Sequence, residues 1–164
     1  MNLYRVMSNN MGKGVYYGSF YCYPYQGKGH TKPVQDSMSS DFASTKFIDL
    51  NNILPKHPAS RLFFSPRAFA ILEDLFPREY HDIVEVHYRE FLIGYVFEPA
   101  RIHYSIEYPL YAQIDAERPE NVHYFQKFPD VNFALCTQTL WERVKEHKLR
   151  GFKMVPRWPE KKKR

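Results

Sequence analysis

Residues 131–156 read VNFALCTQTLWERVKEHKLRGFKMVP, and the pattern of this stretch decides the fold. Val131–Cys136 is short and apolar, as a strand is. Thr139 suits a helix N-cap, and Glu142 three residues later completes a capping box. Leu140, Trp141 and Val144 share one face at helical spacing, and Glu142, Arg143, Glu146 and Lys148 hold the other. Lys145, Lys148 and Arg150 lie where cations favour a helix C-terminus. Gly151 fits the left-handed position just beyond it. Phe152 and Met154 then alternate with Lys153 and Val155 in a second strand, which Pro156 is expected to close. The spacing predicts a helix over 139–149 inside one strand–helix–turn–strand unit.

A second unit of the same kind precedes it. Leu62–Phe76 reads LFFSPRAFAILEDLF. Ser65 is an N-cap, Pro66 occupies the first helical position, and Pro77 forbids continuation. A helix is therefore expected over 65–76, with Phe69, Leu72 and Phe76 facing inward.

The remaining segments read mainly as strands. Leu3–Met7 and Val15–Tyr25 are apolar or aromatic, and Phe47–Leu54 is a weaker strand candidate. Ile83–Phe97 alternates at first, with Val84, Val86 and Tyr88 in and Glu85, His87 and Arg89 out. Its phase changes near Glu90, so either a bulge lies there or two strands meet. Arg101–Glu107 alternates again and is expected to form an antiparallel hairpin with the preceding strand. Thr31–Lys46 is Ser-rich and reads as a loop, and so does the acidic run Asp115–Asn121. Strands and helices do not alternate as in βαβ units. The expected class is α+β, a mostly antiparallel sheet with two main helices, in one domain over residues 1–156 followed by a basic tail at 157–164.

The two strand–helix units also carry a resemblance. The order of an apolar strand, a polar cap and an amphipathic helix ending in Lys148-Leu149-Arg150-Gly151-Phe152, then Lys153-Met154-Val155-Pro156, resembles the C-terminal signature of a family of bacterial immunity proteins. Leu62–Phe76 resembles the "apolar strand, Ser-Pro-Arg, helix" element of that family, with Ser65, Pro66 and Arg67 in the motif positions. The first 60 residues carry none of it. Such proteins are encoded beside secreted or contact-delivered polymorphic toxins and neutralise them by binding. The resemblance implies a non-enzymatic antitoxin whose partner is one cognate toxin domain, with no cofactor and no metal.

Charge narrows the partners. The chain is 164 residues long with a net charge of +5. The tail RWPEKKKR holds five cations and one anion, so nearly all of the excess sits there and the body is close to neutral. A nucleic-acid footprint belongs on a folded face, which argues against nucleic acid as the partner. Only Cys22 and Cys136 are present, both in apolar surroundings, and no CxxC pair suggests zinc. The N-terminus lacks a signal-peptide pattern and no apolar run reaches membrane-spanning length, so a cytoplasmic protein is expected.

Two surfaces suit a protein partner. At period two, Tyr17, Tyr21, Tyr23 and Tyr25 share one strand face, and tyrosine is enriched at interface centres. The acidic run offers Asp115, Glu117 and Glu120 to a basic toxin. The alternative to a binding protein is a small nuclease-like enzyme, in which His87, Arg89 and His103 on paired strands would act as base, acid and phosphate stabiliser. No nucleophile or metal-ligand motif accompanies them.

Overall fold

A computed structural model describes residues 2–8, 20–25, 27, 41–44, 62–88, 90–104, 111–128 and 134–158. In chain order its strands are β1 (Leu3–Ser8), β2 (Phe20–Pro24), β3 (Phe42–Ser44), β4 (Leu62–Phe64), β5 (Ile83–Tyr88), β6 (Phe91–Phe97), β7 (Ala100–His103), β8 (Tyr124–Phe128), β9 (Leu135–Thr137) and β10 (Phe152–Trp158). The α-helices among the described residues are α1 (Pro66–Leu72), α2 (Tyr111–Glu117) and α3 (Gln138–Glu146). The class is α+β as expected, but the strands form two five-stranded sheets, ordered β10-β1-β9-β8-β7 and β2-β5-β6-β4-β3.

All strand pairs are antiparallel except β7 with β8. That exception corrects the expected hairpin. Glu98 and Pro99 carry the chain out of the second sheet, so Ala100–His103 pairs in parallel with Ala100 opposite Phe125, not with β6. Glu98 N donates to Asp82 O at 3.0 Å at this crossing.

The phase change near Glu90 has two sources. β5 and β6 meet there as a hairpin, and their register also jumps from Val86–Gly94 to His87–Leu92, leaving Ile93 as an extra residue. The bulge lets Leu92, Tyr95 and Phe97 all enter the main core. β5 is not half-buried as expected. It lies inside the sheet, and Ile83, Val84, Glu85 and Val86 are all buried.

The main core lies where the two sheets meet α1 and α3. Val6, Tyr124 and Cys136 enter it from the first sheet, Phe64, Tyr95 and Phe97 from the second, and Phe69, Leu72, Leu140 and Val144 from the helices. A smaller core of Leu3, Ile102, Phe125 and Leu135 lies on the other face of the first sheet, under Ile114 of α2.

Local signals act largely as expected. Ser65 caps α1, its Oγ accepting from Ala68 N at 3.0 Å, and Pro66 begins the helix. The helix tightens into a 3-10 turn over Glu73–Leu75 before Pro77. α3 starts one residue earlier than expected, with Thr137 and not Thr139 at the N-cap. Lys148 takes the left-handed backbone just past the helix (φ 51°), while Gly151 (φ 90°) turns the chain into β10. β10 does not stop at Pro156. As the first strand of its sheet it tolerates a residue without an N–H, and it continues to Trp158, two residues into the expected tail. Two further corrections concern expected loops: Phe42–Ser44 is β3, and Asp115–Glu117 forms the last turn of α2. The strand expected at 47–54 lies outside the described residues.

Candidate functional site

The tyrosine face of β2 points toward α1. Tyr23 stands opposite Glu85, and Glu85 opposite Tyr95, so these three side chains form one row across β2, β5 and β6. Tyr95 stacks on Phe69 of α1, ring centroids 3.7 Å apart. Two residues on, just past the end of β2, Tyr25 meets Phe69 edge-on at 5.1 Å and Tyr95 at 5.8 Å. Tyr25 is therefore a core residue and not an exposed contact, because α1 covers its end of the strand. Its hydroxyl donates to Glu73 Oε1 at 2.6 Å. Burial first, then the Glu73 carboxylate, pushes its pKa up to about 12. Burial likewise raises that of Tyr95.

Beyond the reach of α1 the same face opens to solvent. Tyr23 is 52% exposed. Its ring meets the His87 imidazole edge-on at 5.3 Å. His87 Nε2 lies 3.0 Å from Glu85 Oε2, and both of those side chains are mostly buried. The result is an exposed aromatic ring that borders an imidazole, which is paired in turn with a carboxylate. On the other side, Arg78 donates to Tyr25 O and places its guanidinium carbon 5.2 Å from the Tyr25 ring centroid. Glu73 and Glu85 both act electrostatically on Tyr25 and on Tyr95. Of the other expected members of this face, Tyr17 and the side chain of Tyr21 lie outside the described residues.

The acidic run is a separate place, built around a buried cation. Arg118 donates to the carbonyls of Pro119, Glu120 and Val122 and to Asp115 Oδ1, which its Nη2 meets at 3.1 Å. Asp115 is thus committed inside the fold, whereas Glu117 and Glu120 are exposed. Asn121 Nδ2 donates to Glu79 Oε1 at 3.3 Å, which sets this run beside the turn that presents Tyr80, 41% exposed.

The histidines do not assemble. His87 lies on β5 of one sheet and His103 on β7 of the other, so the strand pairing expected to bring them together is absent, and Arg89 lies outside the described residues. His81 is buried, its Nδ1 2.9 Å from Glu98 O, and burial lowers its pKa to about 4. Burial also lowers that of His123, whose Nδ1 is 2.9 Å from Thr137 Oγ1. Among the described residues no group of three metal-ligating side chains converges. No helix among them is long and apolar enough to cross a membrane. Cys136 is free and buried, its thiol raised by burial, with Sγ 3.5 Å from Met154 Sδ.

Comparison with known proteins finds no matching family, no matching curated protein and no matching solved structure. What the chain does therefore has to be argued from its own residues. Of these, sequence reasoning named Tyr23 as a partner contact and His87 only as part of the nuclease alternative, placed Glu85 on a solvent-facing side and did not single out Glu73, Tyr95 or Tyr80. The missing information was the lateral order of strands. Glu85 and Tyr95 become neighbours of Tyr23 only once β5 is known to lie between β2 and β6.

The two strand–helix units meet directly. Arg67 of the Ser-Pro-Arg element donates through Nη2 to His147 O at 2.7 Å and through Nη1 to Asp41 Oδ2 at 2.9 Å. Asp41 also accepts from Ser65 Oγ at 3.0 Å and from Arg150 N at 2.8 Å. Arg143 of α3 adds bonds to Ile71 O and to both carboxylate oxygens of Asp74.

Proposed function

We propose that this chain is an immunity protein: a non-enzymatic, cytoplasmic antitoxin that binds one cognate secreted toxin domain and occludes it. The observation that carries the reading is the joint at Arg67. The Ser-Pro-Arg element and the Lys-Leu-Arg-Gly element resemble motifs of one immunity-protein family, and here they are bonded to each other through His147 O and Asp41. Motif residues used to lock a scaffold fit a protein that works through its surface. The open tyrosine end of the second sheet supplies an aromatic group of the kind that dominates binding energies, and the exposed acids Glu117 and Glu120 supply charge of the kind that steers association.

The test is neutralisation. The toxin domain encoded beside this chain's gene is expressed alone and together with it. Arrested growth with the toxin alone, restored by co-expression, together with a one-to-one complex of the purified proteins, is the expected result. Growth arrest that persists despite soluble, folded antitoxin would refute the reading.

A further inference from the structure

We infer that the end of α3 and the start of β10 form a phosphate-binding face for duplex nucleic acid, held through its backbone and not through its sequence. The inference goes beyond the immunity reading and does not rest on it.

Three observations carry it. First, the near-neutral body is the sum of two opposed parts. Residues 73–122 hold eleven acids and four cations, whereas residues 143–164 hold ten cations and two acids. Second, the basic part is built on a folded face, as a nucleic-acid footprint has to be. β10 takes in Arg157 and Trp158, the first two residues of the basic tail, and it is the edge strand of its sheet among the described residues. Lys145 and Lys148 lie one turn apart at the end of α3, and Lys153 follows the Gly151 turn into β10. All three are exposed, and among the described residues none of them pairs with a carboxylate. Lys145 lies 5.5 Å from the Trp141 ring centroid, a contact that does not neutralise its charge. Glu146 is the only acid in 143–158. Arg143 is left out of the face, because it is committed to Asp74 and Ile71 O. Third, the side chains suit phosphate better than they suit protein. Lysine is depleted at protein–protein interfaces, whereas its compact ammonium binds phosphate as a point charge. Six of the ten cations in 143–164 are lysines. Single strands are gripped by stacking their bases on aromatic rings, and the exposed large ones among the described residues, Tyr23 and Tyr80, belong to other elements. A duplex asks only for phosphate contacts.

Fluorescence anisotropy of a labelled DNA duplex of about 20 base pairs, titrated with the full chain, tests the face, and affinity is expected to fall by at least about 100-fold between about 50 and about 200 mM salt. Two duplexes of unrelated sequence are expected to bind alike. Lys148→Glu combined with Lys153→Glu is expected to weaken binding at least about tenfold and to reduce the slope of log affinity against log salt by about 2. Both lysines are exposed, so the melting curve of that variant should match wild type. Absence of duplex binding at the lowest salt overturns the inference. So does wild-type affinity in the double variant with binding lost on replacing Lys161, Lys162 and Lys163 by glutamine, which would leave the tail alone responsible. Tighter binding of a single strand of the same length overturns the duplex assignment. Displacement of the duplex by polyglutamate at equal charge overturns the nucleic-acid assignment in favour of an acidic protein.

Discussion

Asp41 accepts the backbone N–H of Arg150 at 2.8 Å, across 109 positions of sequence, and so ties the residue that leads into β3 of one sheet to the turn before β10 of the other. The same carboxylate receives Ser65 Oγ and Arg67 Nη1, and Asp41 O accepts Ser65 N at 3.0 Å. Asp41 is buried, whereas the Arg67 side chain is about half exposed. Their removal should therefore differ in cost. Asp41→Ala leaves a buried hydroxyl and a backbone N–H unpaired and is expected to cost about 3 kcal/mol or more. Arg67→Ala removes a solvent-screened ion pair and an exposed hydrogen bond to His147 O and is expected to cost only about 1 kcal/mol. Urea denaturation of the two variants checks the order; equal losses would mean that the ion pair, and not the buried hydrogen bonds, holds the joint.

Gly94 admits no side chain. A Cβ built there would lie 2.3 Å from Phe64 O and 2.5 Å from the Phe63 ring. One of those contacts is backbone of the neighbouring strand, which cannot move without opening the β4–β6 ladder. Gly94→Ala is expected to destabilise the fold by about 3 kcal/mol, the upper part of the usual range for overpacking. A melting temperature unchanged from wild type would show that the two strands separate more readily than their packing implies.

His81 makes stability depend on pH. Its Nδ1–H donates to Glu98 O, and its Nε2 is buried with no partner among the described residues. The ring is enclosed by Phe76 and Tyr124. A second proton would place a charge in this desolvated site, so burial lowers the folded pKa to about 4 from 6.5. The sign follows: the folded chain binds fewer protons than the unfolded one. Stability is complete above pH 6.5 and is lost progressively as the pH falls toward about 4. The full loss amounts to roughly 3 kcal/mol. Denaturation midpoints measured from pH 7.5 to 4 should fall more steeply for wild type than for His81→Gln; parallel curves would remove His81 as the cause.

Arg118 is the buried cation of the acidic run. Replacing it by alanine strips donors from the carbonyls of Pro119, Glu120 and Val122 and leaves Asp115 without its partner. A loss of roughly 3–5 kcal/mol is expected, as for other broken buried ion pairs. Lysine should recover little of it, because a single ammonium cannot reach three carbonyls and a carboxylate at once. Hydrogen exchange of residues 115–122 gives the local readout: fast exchange in both variants is expected, and protection retained in Arg118→Lys would contradict the fork geometry.

The parts of the fold that could be read from sequence are those with local causes. Ser65-Pro66 starts α1 because a hydroxyl cap and a fixed φ act within one turn. The amphipathic stripe of α3 and the strands on either side of it were legible for the same reason. What escaped depends on distant partners. Ala100–His103 alternates well enough to pair with anything, and its place beside β8 is decided by the exit of the chain at Glu98-Pro99. α2 is a seven-residue helix with one fully buried residue, Ile114, too little to produce a clear period. The candidate site suffered similarly. Tyr23 could be assigned to a tyrosine face suited to a partner, but its place beside Glu85 exists only across strands.

β1 lies between β9 and β10, with Leu3 opposite both Thr137 and Trp158. β1 is thus a central strand whose two neighbours both lie more than 120 positions further along the chain. Pairing Leu3–Ser8 requires closing loops of that length, whereas β4, β5 and β6 all lie within residues 62–97. Folding of this chain is therefore expected to proceed in two stages. The β4–β6–β5 ladder forms early, and closure of the first sheet around β1 is the slow step that commits the molecule.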